Sequence, residues 1–411
     1  MLDTSRSLNQ KLYIPEEYKY WYLLNERISR FSVLPLSVAY VEDGIILPAK
    51  ADPSMVWGLG GVLRSDGSFV EESHQRLFGG RYAFDHDELE TVNETVIYMG
   101  PFLYHWGHFL CDMISRLWYA LPEVETCKIA YCGWNWGSST TQLSGRYLEF
   151  MQLLGFQEDQ FINVQKPMQF RQVIIPDLSF VPDVANSIPY YTKEFLSIIG
   201  TVAARAGEMK GEAHERIYFT RSSFAGAVEK ERGEEDIERF FAANGYHVMS
   251  PEKMTVQQQV FYWRNTKHIA AITGSITHMM IFAGLDTEVT LLNKNGAPNG
   301  YQRSIDNMSE TNVTYVDVSL ERKPVCYGLG PYLLGITDEL KAYARDRGMT
   351  VPDRTDKDGW NRTQYRLWYA REYRRIYSDP VNQRLLAREQ TNAQTSIDRW
   401  KQEEADSRHA E

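Results

Sequence analysis

Ile269-Ala-Ala-Ile-Thr-Gly-Ser-Ile-Thr-His-Met-Met-Ile-Phe-Ala-Gly284 is the stretch that decides the fold. Residues 269–273 read as a buried strand, Gly274-Ser275 as a tight turn, and 276–283 as a helix ended by Gly284. A strand that runs directly into a helix is the building block of a parallel α/β sheet. The first N–H groups of such a helix lack partners, and its dipole places partial positive charge there. The Gly274-Ser275 turn is therefore a candidate anion cradle.

The same rhythm surrounds it. Strands are predicted over 216–220, 246–249, 288–292 and 313–317. Helices are predicted over 234–244, capped by Gly245, and from Thr255 to about 266, where Thr255 and Gln258 have capping-box spacing. The first half starts irregularly over 1–30, with an aromatic cluster at Tyr18, Tyr20, Trp21 and Tyr22. Short β-like runs follow to about 92, including a hairpin turned at Asp66-Gly67. Strands at 95–99, 128–132, 161–164 and 172–175 then alternate with helices at 106–121, 142–154 and 190–206. The polar stretch 207–214 has no periodicity and reads as a linker. Two α/β blocks on either side of it predict two Rossmann-like domains with a cleft between them, ligands lying at the carboxyl ends of the strands. The expected division is 1–206, a linker at 207–214, 215–330, and a helical extension at 331–411.

At 411 residues the chain exceeds a usual single domain. Its net charge of −10 argues against a nucleic-acid partner. No apolar run approaches the roughly 20 residues of a membrane-spanning helix, and no secretory leader is recognisable. The expected location is the cytoplasm, with at most peripheral contact at the inner membrane face. Cys111, Cys127, Cys132 and Cys326 form no CxxC pair and read as free thiols. In the extension, Tyr365, Trp368, Tyr369, Tyr373 and Tyr377 recur at helical spacing among Arg366, Arg371, Arg374 and Arg375. That helix either docks across the two domains or lies on a membrane or acidic partner.

Chemistry concentrates in Tyr104-His-Trp-Gly-His-Phe-Leu-Cys-Asp-Met-Ile-Ser-Arg-Leu117. His108, Asp112 and Arg116 share one helix face, opposite the apolar face of Phe109, Leu110, Met113, Ile114 and Leu117. The polar stripe supplies a candidate general base, Asp112 or His108, or else a simple ion-paired face. His105, His108 and Asp112 also have a spacing open to a metal reading, which would suit a metal-assisted hydrolase. Arg221 ends a strand beside serines and suits a phosphate fork. Gln259 is placed either to bond a base or ribose or to face solvent, and His278 is either a core histidine or a phosphate or sugar contact.

Four motifs then line up. Gly107-His-Phe-Leu-x-Asp112 with Arg116-Leu117, Arg216-Ile-Tyr-Phe-Thr-Arg221, Met254-Thr-x-x-Gln-Gln259 and Gly274-Ser-x-x-His278 resemble, in order and spacing, the motifs of glycosyltransferase family 61. The last is similar to the variant in capsule-type bacterial members. The resemblance implies a GT-B fold and an inverting transferase. The donor would be a nucleotide sugar, usually UDP-linked, used without a metal or other cofactor, and the acceptor a glycan or lipid-linked oligosaccharide of a surface polysaccharide. It implies donor contacts at Arg221, Gln259, Gly274, Ser275 and His278, catalysis by Asp112 or His108, and acceptor contacts at His105 and Arg116. Two positions depart from the family pattern. Thr273 stands where many members carry histidine, and Gln258 where they carry glutamate. A GT-like subunit without catalysis is the remaining alternative.

Overall fold

The computed structural model describes residues 11–23, 30–134, 141–182, 188–209, 211–228, 230–296, 299–309, 311–321, 325, 328–353, 357–384 and 386–387. Cys326 and residues 388–411 lie outside the described residues. The chain forms two main sheets with helices around them. The carboxyl-terminal sheet has six parallel strands in the order Lys11–Tyr13, Asn312–Asp317, Glu288–Asn293, His268–Ile272, Arg216–Phe219, His247–Met249. The amino-terminal sheet has seven strands and is mixed. Glu90–Leu103, Lys128–Trp134, Phe161–Asn163 and Met168–Pro176 run parallel, while Val38–Glu42, Ile45–Asp52 and Met55–Leu63 add antiparallel strands.

Strand periodicity explains how the core divides. Successive side chains point to opposite faces. In the central strand His268–Ile272, Ile269 and Ala271 enter one apolar cluster while Ala270 and Ile272 enter the other. Ile217 and Phe219 against Tyr218 repeat the split in the neighbouring strand. With both faces covered, these strands carry no polar alternation, as parallel strands in α/β proteins require. The first cluster is continuous with the core of the amino-terminal sheet, running through Ile97, Phe109, Phe150, Val260, Met280 and Ile305. Helices Arg146–Leu154, Lys193–Ala206 and Val256–Asn265 pack together in that shared layer. There the Glu149 carboxylate accepts from the Gln257 N–H at 3.1 Å.

Several expectations hold. The hairpin turns at Asp66-Gly67, with Gly67 at φ 80° and the Arg64 N–H donating to the Ser68 carbonyl at 2.8 Å. Gly155 ends its helix in the left-handed region at φ 106°. The Thr255–Gln258 capping box is formed on both sides. Cys111, Cys127 and Cys132 are free thiols. Other expectations are corrected. The segment 106–121 is not one α-helix, and 276–283 is not an α-helix at all; both are described below. The start of the chain is partly regular. Helix Glu16–Leu23 follows strand Lys11–Tyr13, which pairs with Asn312–Asp317, so the chain's beginning joins the second sheet rather than the first. A helix absent from the sequence reading, Gly300–Ser309, buries Tyr301, Ile305 and Met308 along one side.

The extension docks. Helix Asp338–Asp346 inserts Leu340, Tyr343 and Ala344 into the second cluster. Helix Lys357–Tyr377 turns Tyr365 and Tyr377 inward. Tyr369 and Tyr373 stack along it at 4.6 Å, and Trp360 and Leu367 face outward. No helix among the described residues is long and apolar enough to cross a membrane.

Candidate active site

The strand Glu90–Leu103 delivers the first half of the site. His105 caps the turn that follows, its Nδ1 accepting from the His108 N–H at 3.3 Å. One α-turn, Trp106–His108, opens into a π-helix, Phe109–Met113, and tightens into a 3-10 helix, Ile114–Tyr119. Phe109, Leu110, Met113, Ile114 and Leu117 form the buried side, as the apolar spacing predicts. The π-turn is the irregularity that the sequence pattern does not show; such bulges cluster at functional positions. It leaves the His108 Nδ1 2.9 Å from the Asp112 Oδ2.

Asp112 is 4 % exposed and closely held. Its Oδ2 also accepts from the Tyr301 hydroxyl at 3.0 Å. Arg76 Nη1 lies 3.5 Å from Oδ1, and the Gln75 side-chain amide donates to the Asp112 carbonyl at 2.5 Å. Arg76 sits at φ 50°, a backbone region that residues with a side chain seldom occupy. Its guanidinium lies 4.8 Å from the Tyr301 ring centroid and 5.8 Å from that of Trp57. Trp57 and Tyr301 flank the His108 ring at 4.9 and 5.3 Å. A carboxylate bonded to Nδ1 fixes the proton there and leaves the Nε2 lone pair free. The pair thus orients the His108 ring, with Asp112 as its support.

His105 keeps part of its surface exposed within densely packed surroundings. The surrounding protein, followed by the neighbouring His108, His278 and Lys230, pushes its pKa down to about 3. It is therefore neutral, as its capping role needs. Among the described residues no group of three or more His, Cys, Asp or Glu side chains is placed to hold a metal ion. The hydrolase reading of His105, His108 and Asp112 gains no support from this geometry.

The second half of the site lies at the carboxyl edge of the parallel sheet. The expected α-helix after Gly274-Ser275 is a six-residue 3-10 helix, Thr277–Phe282. The Gly274 N–H is already given to the Thr277 Oγ1 at 3.2 Å, so the cradle of free helical N–H groups is not present in the form expected. Cation supply is local instead. The Arg221 guanidinium crosses Gly274 so closely that a Cβ there would collide with it, and it reaches the Thr273 carbonyl at 3.4 Å. Arg221 and Lys294 share the Glu231 carboxylate at 3.4 and 2.6 Å. Burial pushes Lys294 down to about 8, and neighbouring Arg221 acts the same way. Burial would raise Glu231, but Lys294 and then Arg221 outweigh it and hold that carboxyl below its usual range. Glu234 accepts from the Arg221 N–H at 2.8 Å, and burial raises it to about 7.

The two halves meet at Gly107. A Cβ there would lie 2.8 Å from the His278 Nδ1 and 3.2 Å from the Ser275 Oγ. His278 is buried and its Nε2 has no hydrogen-bond partner among the described residues. Burial, then His108, drives its pKa down to about 3, so it is neutral. Its ring lies 6.0 Å from that of Tyr301.

Two predicted site residues are placed elsewhere. Arg116 is 1 % exposed and donates to the carbonyls of Glu72 at 2.9 Å, His74 at 3.3 Å and Pro176. It ties the amino-terminal loop and a sheet strand to its own helix, and no acceptor contact is open to it. Gln259 is likewise buried, with its amide on the Pro251 carbonyl at 2.9 Å, so it braces the turn before its helix rather than reaching a nucleotide. Arg76, Tyr301, Glu231 and Lys294 enter the site although no motif marks them.

The α/β fold thus sets a histidine–carboxylate pair opposite a cation-flanked glycine turn. Residues 106–290 match the model of the family described as Glycosyltransferase 61. The match, which covers less than half of the chain, supports a glycosyltransferase role. No curated protein matches the chain.

Proposed function

We propose that this chain is an inverting glycosyltransferase of GT-B type that moves a sugar from a nucleotide sugar, UDP-linked, to a glycan or lipid-linked oligosaccharide acceptor. The observation that carries the reading is the approach of the His108–Asp112 pair to the Gly274-Ser275 turn across Gly107. The donor diphosphate would lie against Arg221, Ser275 and Lys294. The acceptor hydroxyl would give its proton to the His108 Nε2 as its oxygen bonds the anomeric carbon from the face opposite the diphosphate. The anomeric C–O bond breaks, and the released phosphate charge falls on the cations already in place, with no metal required. Asp112 stabilises the imidazolium so formed. His105, exposed beside His108, is placed for the acceptor.

The UDP moiety and the surface-polysaccharide setting rest on the resemblance of Gly274-Ser-x-x-His278 to capsule-type members. In this reading residues up to 206 serve mainly the acceptor and 215–330 mainly the donor. The protein works in the cytoplasm, and the outward face of helix Lys357–Tyr377, with Trp360, Leu367 and Arg374, supplies peripheral contact at the inner membrane face.

A thermal-shift series with UDP, GDP, ADP, CMP and their sugars tests the donor class. A ligand at a hundredfold excess over Kd stabilises the fold by about 2.7 kcal/mol. A shift with uridine nucleotides that Arg221→Ala abolishes is expected. A series in which no nucleotide shifts the wild type would sink the reading.

A further inference from the structure

Helix Gly300–Ser309 belongs to none of the four motifs, yet two consecutive side chains of it reach both halves of the site. Tyr301 donates to the Asp112 Oδ2 at 3.0 Å and packs on His108, His278 and Arg76. Gln302 lies 2.6 Å from the Thr277 Oγ1, which in turn accepts from the Gly274 N–H. The Gln302 amide also donates to Asp306, whose other oxygen accepts from Tyr315 at 2.5 Å, so its orientation is fixed from behind. Tyr301 and Gln302 are 7 % and 1 % exposed.

We propose that Tyr301 is a positioning residue for the His108 base, acting through Asp112 and supplied by the same helix that holds the donor turn. The inference rests on the transferase reading above. Its physical content is narrow. A carboxylate oxygen bonded to both the His108 Nδ1–H and the Tyr301 O–H is fixed in rotation, so the Nε2 lone pair points one way. Without the hydroxyl, the carboxylate is free to turn toward Arg76, 3.5 Å from its other oxygen. The Nδ1–H tautomer then loses its exclusive support. Because Gln302 is the next residue, a displacement of the Gly274 turn when a donor binds is passed to Tyr301 through a single peptide bond.

The test is Tyr301→Phe in the full-length chain, which keeps the ring and removes only the hydroxyl. One hydrogen bond to a charged group is worth about a tenfold change in rate. The expected result is a kcat lowered about tenfold with the donor KM within about twofold, and a Tm lowered by no more than a few degrees. Nitrogen-15 NMR of selectively labelled histidine gives a readout that needs no turnover. His108 should show a single Nδ1–H tautomer in the wild type and a tautomer mixture in Tyr301→Phe. An unaltered tautomer with unaltered kcat overturns the proposal. A changed tautomer in a protein that turns over no nucleotide sugar would uphold Tyr301 as positioning residue while removing the transferase reading, so the two failures are distinguishable. Gln302→Ala should instead raise the donor KM; an effect on kcat alone would also overturn the coupling.

Discussion

Replacing Gly107 with alanine tests whether the base segment and the donor turn form one reacting site. Gly107 lies in a helical turn outside the left-handed region, so alanine suits its backbone and gains about 1 kcal/mol of helix propensity. The cost is steric. The new Cβ would stand 2.8 Å from the His278 Nδ1, 3.0 Å from its Cε1 and 3.2 Å from the Ser275 Oγ. Ordinary contact begins near 3.4 Å, so about 0.6 Å must be relieved. His278 has little room to retreat, being buried with the Cys111 Sγ 3.8 Å from its ring. The gap therefore opens between the His108 segment and the Ser275 turn. A misplacement of about 1 Å costs roughly a hundredfold in rate, so 0.6 Å predicts a fall in kcat of about tenfold. Overpacking of about 1–3 kcal/mol, offset by propensity, leaves the fold within about 2 kcal/mol of wild type. Steady-state kinetics well below the melting temperature, with urea midpoints in parallel, measure both quantities. A Gly107→Ala enzyme with wild-type kcat would refute the reasoning, because the two segments would then not need their present spacing.

Two further substitutions address stability. Arg116→Met should lower the unfolding free energy by about 3 kcal/mol or more, since three carbonyls lose their donor, while kcat and KM of the folded fraction stay unchanged. A kinetic effect without a loss in the urea midpoint would restore the substrate role. Asp306 is raised to about 7, chiefly by burial, against an unfolded value near 4. Between those pH values the unfolded chain releases its proton first, so the Asp306 contribution declines as pH rises from about 4 to 7 and is level above. Asp306→Asn should therefore gain stability relative to wild type across that window, up to a few kcal/mol, read as urea midpoints at pH 4.5 and 8. Parallel pH curves for the two proteins would refute the assignment.

Most of the architecture is legible in the chain because strand and helix periods are strong where both faces are buried. His268–Ile272 and Arg216–Phe219 are predicted almost to the residue. The misses have physical causes. Helix Gly300–Ser309 follows an Asn- and Gly-rich run and buries Gln302, Ser304 and Asp306, so its inward face does not look apolar. The π-turn at Phe109–Met113 keeps the apolar spacing of an α-helix, so the pattern does not distinguish the two. Strand Lys11–Tyr13 is three residues long and takes its place from a partner 303 residues away. In the site, His108 and Asp112 pair within the first motif, and Gly107 of that motif meets Ser275 and His278 of the last. Arg116 and Gln259 share the motifs but are buried as braces, since a polar residue's spacing fixes its face and not what covers that face. Arg76 and Tyr301 carry no local signal. Only the folded chain places them on Asp112.

The central claim is a base on one half acting on a sugar held by the other. It is tested most directly by following the anomeric proton of the product by NMR at early times, with the nucleotide sugar that binds and water or a glycan as acceptor. Wild type and His108→Ala are compared at saturating donor. The account predicts inversion at the anomeric carbon in the wild type. In His108→Ala it predicts turnover lowered by about a hundredfold or more, with donor binding intact. Retained anomeric configuration, or full turnover without His108, would contradict it.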